Sequence, residues 1–558
     1  MSDVGGGLAE PEELRPEQGA LRLAGPDDDW SRADWEKAAS AVLRTTRRLS
    51  EDDPDDAVWA ALTHATYDGI GVPPLGTPDL VSRTAAPRPR RAGAWDVRVR
   101  AHLDTDVVAE LERGATSLWM ACDEVAPGAL PAYLDGVLLD LAPVVLEDPT
   151  AAHAEALVAL GPLHPDANLG VTEDADLIAF ARLALGAGVR GVVVDGVDVH
   201  EQGASDAQEL GWVLARGAQV LRVLEDGGIE PARAVGLIEL RVSVTDEQFP
   251  SIAKLRALRV LWARLAHLCE VAEPRTRVHA VTSRPMTSAY DVHVNLLRGT
   301  VAAFAAGVGG ADAVTVVPYD EPTGDSSALG RRLARNISAL LVEESHVAAV
   351  ADPAGGSYAV ERLTDDLAQV AWAELGRIET EGQESFLARV AEVRARREDD
   401  VAHRRRAITG LSEFATLADP VPAAGHDSYR YGAAFEEMRR EAPEAHVYLA
   451  TLGSVAEHTA RAQFATNLLA AGGIAFDVGG ATSGVGDVMA AYDGQSVVCL
   501  AGTEAAYAAW GSDAAAALRE KGARRVVLAG RPADWADDSC AQGDDAVAFL
   551  TRTREALR

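Results

Sequence analysis

The sequence predicts a closed parallel (β/α)8 barrel followed by a small doubly wound, flavodoxin-like domain. Two observations carry this reading. Between about residues 110 and 400 a short apolar run, a loop and a helical stretch recur. The runs lie at 117–120, 144–146, 167–170 (the weakest), 191–194, 237–240, 278–281, 313–317 and 347–350. Runs apolar enough to be buried on both faces, separated by helices, read as parallel strands with the helices outside. From residue 445 the alternation resumes, with runs at 446–450, 474–478, 497–501 and 526–529. That is enough chain for one open α/β sheet.

Taken in order, residues 1–60 form an acidic N-terminal arm, with Pro-Asp-Asp-Asp at 26–29 and Glu-Asp-Asp-Pro-Asp-Asp at 51–56. Between them, Trp30-Ser-Arg-Ala-Asp-Trp35 opens an amphipathic helix running to Leu43, with Ser31 as its N-cap. Two tryptophans on so short a helix need a surface to bury them, on this chain or on a partner. Residues 61–395 are the barrel. Within them Ile252, Leu255, Leu258, Leu261, Trp262 and Leu265 make one apolar helical stripe. Residues 396–444 change character: Arg404-Arg-Arg406 precedes the Pro- and Ala-rich Asp419-Pro-Val-Pro-Ala-Ala-Gly425, which reads as a linker. Residues 445–558 are the doubly wound domain, whose last helix carries Val547, Leu550 and Leu557.

A net charge of −33 offers no basic stripe to neutralise phosphates, so neither nucleic acid nor an anionic membrane is the expected partner. No apolar run is long enough to span a bilayer, and Met1-Ser-Asp-Val-Gly-Gly-Gly has no signal-peptide character. The four cysteines lie far apart with no Cys-x-x-Cys pair, so no metal site is expected and a reducing cytoplasm fits.

Several ordered blocks resemble the methylmalonyl-coenzyme A mutase family. They are Thr66-Tyr-Asp-Gly-Ile70, Ile252 through Trp262, and Tyr290-Asp-Val-His-Val-Asn-Leu-Leu-Arg298. Gly309-Gly-Ala-Asp312, Arg335-Asn336, Glu343-Glu-Ser-His346 and Ala351-Asp-Pro-Ala-Gly-Gly-Ser357 follow in the same order. Ser283-Arg-Pro-Met-Thr-Ser288 and Ala450-Thr-Leu-Gly453 look most like the small-subunit branch of the bacterial heterodimeric enzymes. The resemblance implies a part in interconverting methylmalonyl- and succinyl-coenzyme A, a step of propionate metabolism. It also implies adenosylcobalamin as the cofactor of the complex, and a homologous large subunit as partner.

The chemical residues of that family do not carry over. Its cobalt loop is Asp-x-His-x-x-Gly, whose imidazole binds the metal while the Asp fixes the tautomer. Here Gly453, Ser454 and Val455 occupy that neighbourhood, and the last histidine, His458, falls inside the next helix as an exposed side chain. The loops implied to receive the nucleotide tail, Val498-Cys-Leu-Ala-Gly-Thr503 and Leu528-Ala-Gly-Arg-Pro532, are also altered. In Asp195-Gly-Val-Asp-Val-His-Glu-Gln-Gly-Ala204, Asp198 stands where the family places its active-site histidine, and His200 lies two residues on. There is no tyrosine between Tyr67 and Tyr133 to close over a cofactor. The resemblance therefore implies a cobalamin-binding-like domain that is degenerate. It leads to a non-catalytic subunit with the cofactor on the large subunit and none on this chain. An active acyl-coenzyme A mutase with a shifted site, using His200 and His458, is the alternative.

Overall fold

The computed structural model describes residues 25, 30–81, 91, 93–172, 174–324, 326–422 and 428–558. The acidic run at 26–29 lies outside the described residues. The described residues divide into two compact units, one of those up to residue 65 with 71–75, the other of 66–70 with those from 76 to 558.

In the first unit the helix Arg32–Thr45 is capped as expected. Ser31 accepts from the Asp34 N–H, and the Asp34 carboxylate accepts in return from the Ser31 N–H at 3.0 Å. A second helix, Ala57–Leu62, brings Trp59 against Trp35 with ring centroids 4.8 Å apart. Trp30 stays exposed. His64–Ala65 and Gly71–Val72 pair as a short antiparallel ladder.

The second unit contains the barrel. Its strands are β1 (Asp96–Ala101), β2 (Ser117–Ala121), β3 (Val144–Glu147), β4 (Asn168–Val171), β5 (Arg190–Asp195), β6 (Ile238–Val244), β7 (Val278–Thr282) and β8 (Ala313–Thr315). They close in the order β8-β1-β2-β3-β4-β5-β6-β7, all parallel. The stripe on the helix Gln248–Leu268 is buried throughout, as its period predicts.

Two expectations are corrected. Residues 347–350 are not a strand: Val347–Ala349 forms a single 3-10 turn and Val350 is exposed. The eighth strand is instead β1, whose sequence Asp-Val-Arg-Val-Arg-Ala alternates charge with valine. An apolar-run criterion passes over it because its inward side chains are ionic. Arg98 reaches across the interior to Glu239 on the non-adjacent β6 at 2.6 Å, both side chains fully buried. The weak run at 167–170 does form β4, with a register irregularity between Asn168 and Val171. There Gly170 takes φ +77, and a Cβ would collide with the Leu146 carbonyl.

Of residues 396–444, those to Ala402 end the second of two helices within Tyr358–Ala402, which are separated by a kink at Gly382 (φ +84), and Ala433–Arg440 is helical too. This stretch is pinned to the barrel: Glu436 accepts the Ala289 N–H at 3.0 Å, and the Arg439 guanidinium lies 4.1 Å from the Tyr290 ring centre.

The C-terminal sheet comprises β9 (Val447–Thr451), β10 (Phe476–Val478), β11 (Val497–Ala501), β12 (Arg525–Ala529) and β13 (Asp538–Cys540). All are parallel, in the order β10-β9-β11-β12-β13. This is the flavodoxin-like order, with its reversal point between β9 and β11. Strand β13 was not anticipated, since Asp-Ser-Cys at a sheet edge has no apolar run. No helix among the described residues is long and apolar enough to cross a membrane.

Candidate functional site

Ligands of barrels bind where the strands end at their C-terminal face, and ligands of open α/β sheets bind at the reversal point. Cavities are present at both places.

At the barrel mouth, a cavity of about 330 Å³ is bounded by the ends of β1, β2, β3 and β5. Its floor is Trp119, packed with Val145, Val193, Val281 and Val317. Behind Trp119, the Arg241 guanidinium lies 4.3 Å from the indole centre and His279 meets it edge-on at 5.3 Å. The Arg241 Nε–H donates to His279 Nδ1 at 3.2 Å, so the ring proton sits on Nε2, which donates to Thr315 at 2.8 Å. Burial and the surrounding Arg98, Arg241 and Arg277 hold His279 well below the usual imidazole range, hence neutral. Below this layer stands the Arg98–Glu239 pair. The barrel axis is therefore filled by this chain's own side chains.

The walls of the mouth are charged and mostly self-paired. Arg100 binds Glu147 at 2.8 Å, and Arg284 binds Glu201 at 2.8 Å and Glu321 at 3.0 Å. Asp195 is held by Arg241 at 2.8 Å. Asp198, on the short helix Val197–Glu201, lines this cavity and has no ion-pair partner among the described residues. Partial enclosure, then the nearby carboxylates of Asp195, Glu201 and Asp148, raise it to about 6.

His200, two residues on, is buried and is not among the residues lining the mouth. Its Nε2 meets the Ser283 hydroxyl at 2.7 Å, and its Nδ1 lies 3.3 Å from Glu209. The helical period separates the pair: Asp198 turns to the cavity and His200 into the barrel wall.

At the reversal point, an open cleft of about 790 Å³ is bordered by Gly453, Ser454, Thr482, Thr503 and Trp510. Gly453 takes φ +96. Ser454 is the N-cap of the helix Val455–Ala471: its N–H and its hydroxyl donate to the Glu457 carboxylate at 2.8 and 2.7 Å. Val455 is the first helical residue and is exposed. His458 is buried, a correction to its expected exposure, because its ring folds back so that Nδ1 meets the Gly453 carbonyl at 3.2 Å.

Tyr507 closes the neighbouring space between the loops after β11 and β12. Its hydroxyl accepts the Gly502 N–H at 2.8 Å and donates to the Ala529 carbonyl at 2.8 Å. Burial pushes Tyr507 up to about 12. Arg461 covers the same corner, donating to the Ala529 carbonyl at 3.2 Å. Tyr507 opens a π-helical turn to Gly511. Sequence reasoning overlooked Tyr507, Trp119 and the Arg98–Glu239 pair. The one available signal was the Val/Arg alternation of β1.

Replacing Tyr507 by Phe is expected to lower stability by about 1–3 kcal/mol, since the Gly502 N–H loses its buried acceptor. Urea unfolding of the two proteins measures this.

A closed parallel barrel followed by an open parallel sheet, each with a cavity at its strand ends, defines the class of this α/β protein. Residues 168–492 match the family profile described as methylmalonyl-CoA mutase. The chain is 39% identical to the methylmalonyl-CoA mutase small subunit of Streptomyces virginiae, covering 97% of this chain and 99% of the relative. It is 32% identical to the small subunit from Propionibacterium freudenreichii subsp. shermanii, over 96% and 94%. The large subunit of S. virginiae is 29% identical over 41% of this chain and 32% of its own length. The chain belongs to the methylmalonyl-CoA mutase family. Its similarity along nearly the whole length is to small subunits.

Proposed function

We propose that this chain is the non-catalytic small subunit of a heterodimeric methylmalonyl-CoA mutase. On this reading it stabilises a homologous, cytoplasmic large subunit that holds adenosylcobalamin and the acyl-coenzyme A. The observation that carries the proposal is the state of the small domain's ligand end. Where an imidazole would have to project, Ser454 and Glu457 cap a helix, and His458 is turned back on Gly453. Tyr507 and Arg461 tie together the two loops on which a nucleotide tail would rest. A Cβ at Gly530 would meet the Arg461 guanidinium, which lies directly over that glycine. The residues present do not fit a corrinoid, and no chemical step is assigned to it on this chain.

The barrel mouth supports the same reading. Coenzyme A thioesters are polyanions, whereas the mouth presents the unpaired Asp198 beside self-neutralised arginines, above a floor closed by Trp119. The active-mutase alternative needs His200 and His458, and both are engaged elsewhere, by Ser283 and by the Gly453 carbonyl.

The test is titration of the purified chain with adenosylcobalamin, followed by its visible spectrum. The expected result is no saturable binding. Binding with the spectral change of histidine ligation, abolished by His458→Ala, would contradict the proposal.

A further inference from the structure

A further cavity lies outside the barrel, in its wall. The helix Ala328–Glu343 packs over β1 and β8. Along β1, Arg98 turns inward to Glu239, so by the strand alternation Val97 and Val99 face the helix. Along β8, Thr315 turns inward to His279, which leaves Val314 and Val316 facing outward. Between these valines and the helix remains a space of about 60 Å³, whose helical side carries Arg335 and Ser338. Arg284 and Glu321 border both this space and the barrel mouth.

Two polar groups of this cavity are left without partners. Arg335 gives Nη1 to Glu110 at 2.5 Å and Nη2 to Asn336 at 3.3 Å, but its Nε–H has no acceptor. The Ser338 hydroxyl has none either. The two residues are only 4% and 1% exposed, too deep for bulk water to satisfy them. Buried polar groups in native proteins are ordinarily paired, so two orphans on one small cavity call for an occupant. Their i, i+3 spacing places them on one face of the helix.

The chemistry of the occupant follows from what is missing. The Arg335 Nε–H is a donor only and the Ser338 hydroxyl can donate as well, so one acceptor oxygen with two lone pairs satisfies both. Arg98, Arg100, Arg284 and Arg331 also border the space, but each, like Arg335 with Glu110, is already paired with a carboxylate, so a further full negative charge meets no uncompensated cation there. The opposite wall is valine, so the rest of the occupant is apolar. About 60 Å³, set against the ~10–15 Å³ that one water requires, admits roughly four to six heavy atoms. We propose that this barrel-wall cavity is a binding site for a small neutral molecule with an apolar body and one carbonyl oxygen, such as a short ketone or amide.

The test uses the full chain and 2-butanone as probe, with propionate as the charged control. Saturation-transfer NMR is read on the wild type, Ser338→Ala and Ala334→Leu, the last filling the cavity. The expected result is saturable binding of 2-butanone that exceeds that of propionate. Ser338→Ala should weaken it about fivefold to tenfold, the loss of one hydrogen bond, and Ala334→Leu should abolish it. If Ala334→Leu does not fold, Val316→Ile is the milder filling variant. Absence of saturable binding, or binding that survives filling of the cavity, would overturn the proposal. So would a crystal structure of the soaked chain with only ordered waters at Arg335 and Ser338.

Discussion

Glu239→Gln is expected to cost about 3–5 kcal/mol of stability, the cost of breaking a buried ion pair from one side. Glu239 is fully buried and serves two guanidinium groups. Arg98 donates to it at 2.6 and 3.3 Å, and Arg277 at 3.2 Å. The amide keeps the shape but leaves Arg98 buried and charged without a counter-ion, while Arg277 keeps Asp96 and Asp166. The double replacement Arg98→Met with Glu239→Leu is expected to be milder, because it removes one charge of each sign together. The wild type should also show the pair in its acid response. Burial alone would raise the Glu239 carboxyl, but Arg98 and Arg277 outweigh burial and hold it at about 2. A depressed pKa gives stability that is present above the unfolded value, near 4.5, and is lost as pH falls towards 2. Urea unfolding between pH 2 and 7 checks both points: the decline between about 4.5 and 2 should be shallower in Glu239→Gln.

Lys254→Met is the other large effect, again about 3–5 kcal/mol. Lys254 is buried on the helix Gln248–Leu268 and binds Asp206 at 3.0 Å and Glu209 at 2.5 Å. Burial opposes its charge, but these two carboxylates raise its pKa above the ordinary lysine value. Glu209 also accepts the Ser243 N–H from β6 at 2.7 Å and stands beside His200. Asp68 reaches the same cluster through the Ser205 hydroxyl. Removing the ammonium therefore exposes two acidic groups to one another at the joint between a helix, a barrel strand and the wall of the mouth. Calorimetric melting should show a large drop at neutral pH. A variant that melts with the wild type would refute this account of the network.

The ease of reading the fold from the sequence follows from these same interactions. Strands such as β2 and β5 were legible because both faces are buried among apolar groups. Strand β1 was not, because the barrel interior solves its packing with ion pairs, and charge alternation looks like a surface. Residues 347–350 were misread because four apolar residues do not distinguish a strand from an exposed turn. Strand β13 is too short and polar to announce itself. At the candidate site, what the sequence shows is that no histidine stands at Gly453, Ser454 or Val455, and that Asp198 lies at the position where the resemblance leads one to expect a histidine. What fills the space there was not legible. The inward turn of His458 depends on the left-handed Gly453, and the Tyr507 closure joins residues 22 positions apart through main-chain groups.

Under the proposed function this chain performs no chemistry, the side chains at both strand ends being engaged with one another. The most direct test of that claim is mutase turnover of methylmalonyl-coenzyme A with adenosylcobalamin, assayed on this chain alone, on a co-purified large subunit alone, and on their mixture. The account predicts no turnover by this chain and clear, more heat-resistant turnover by the mixture. Turnover by the isolated chain would contradict it.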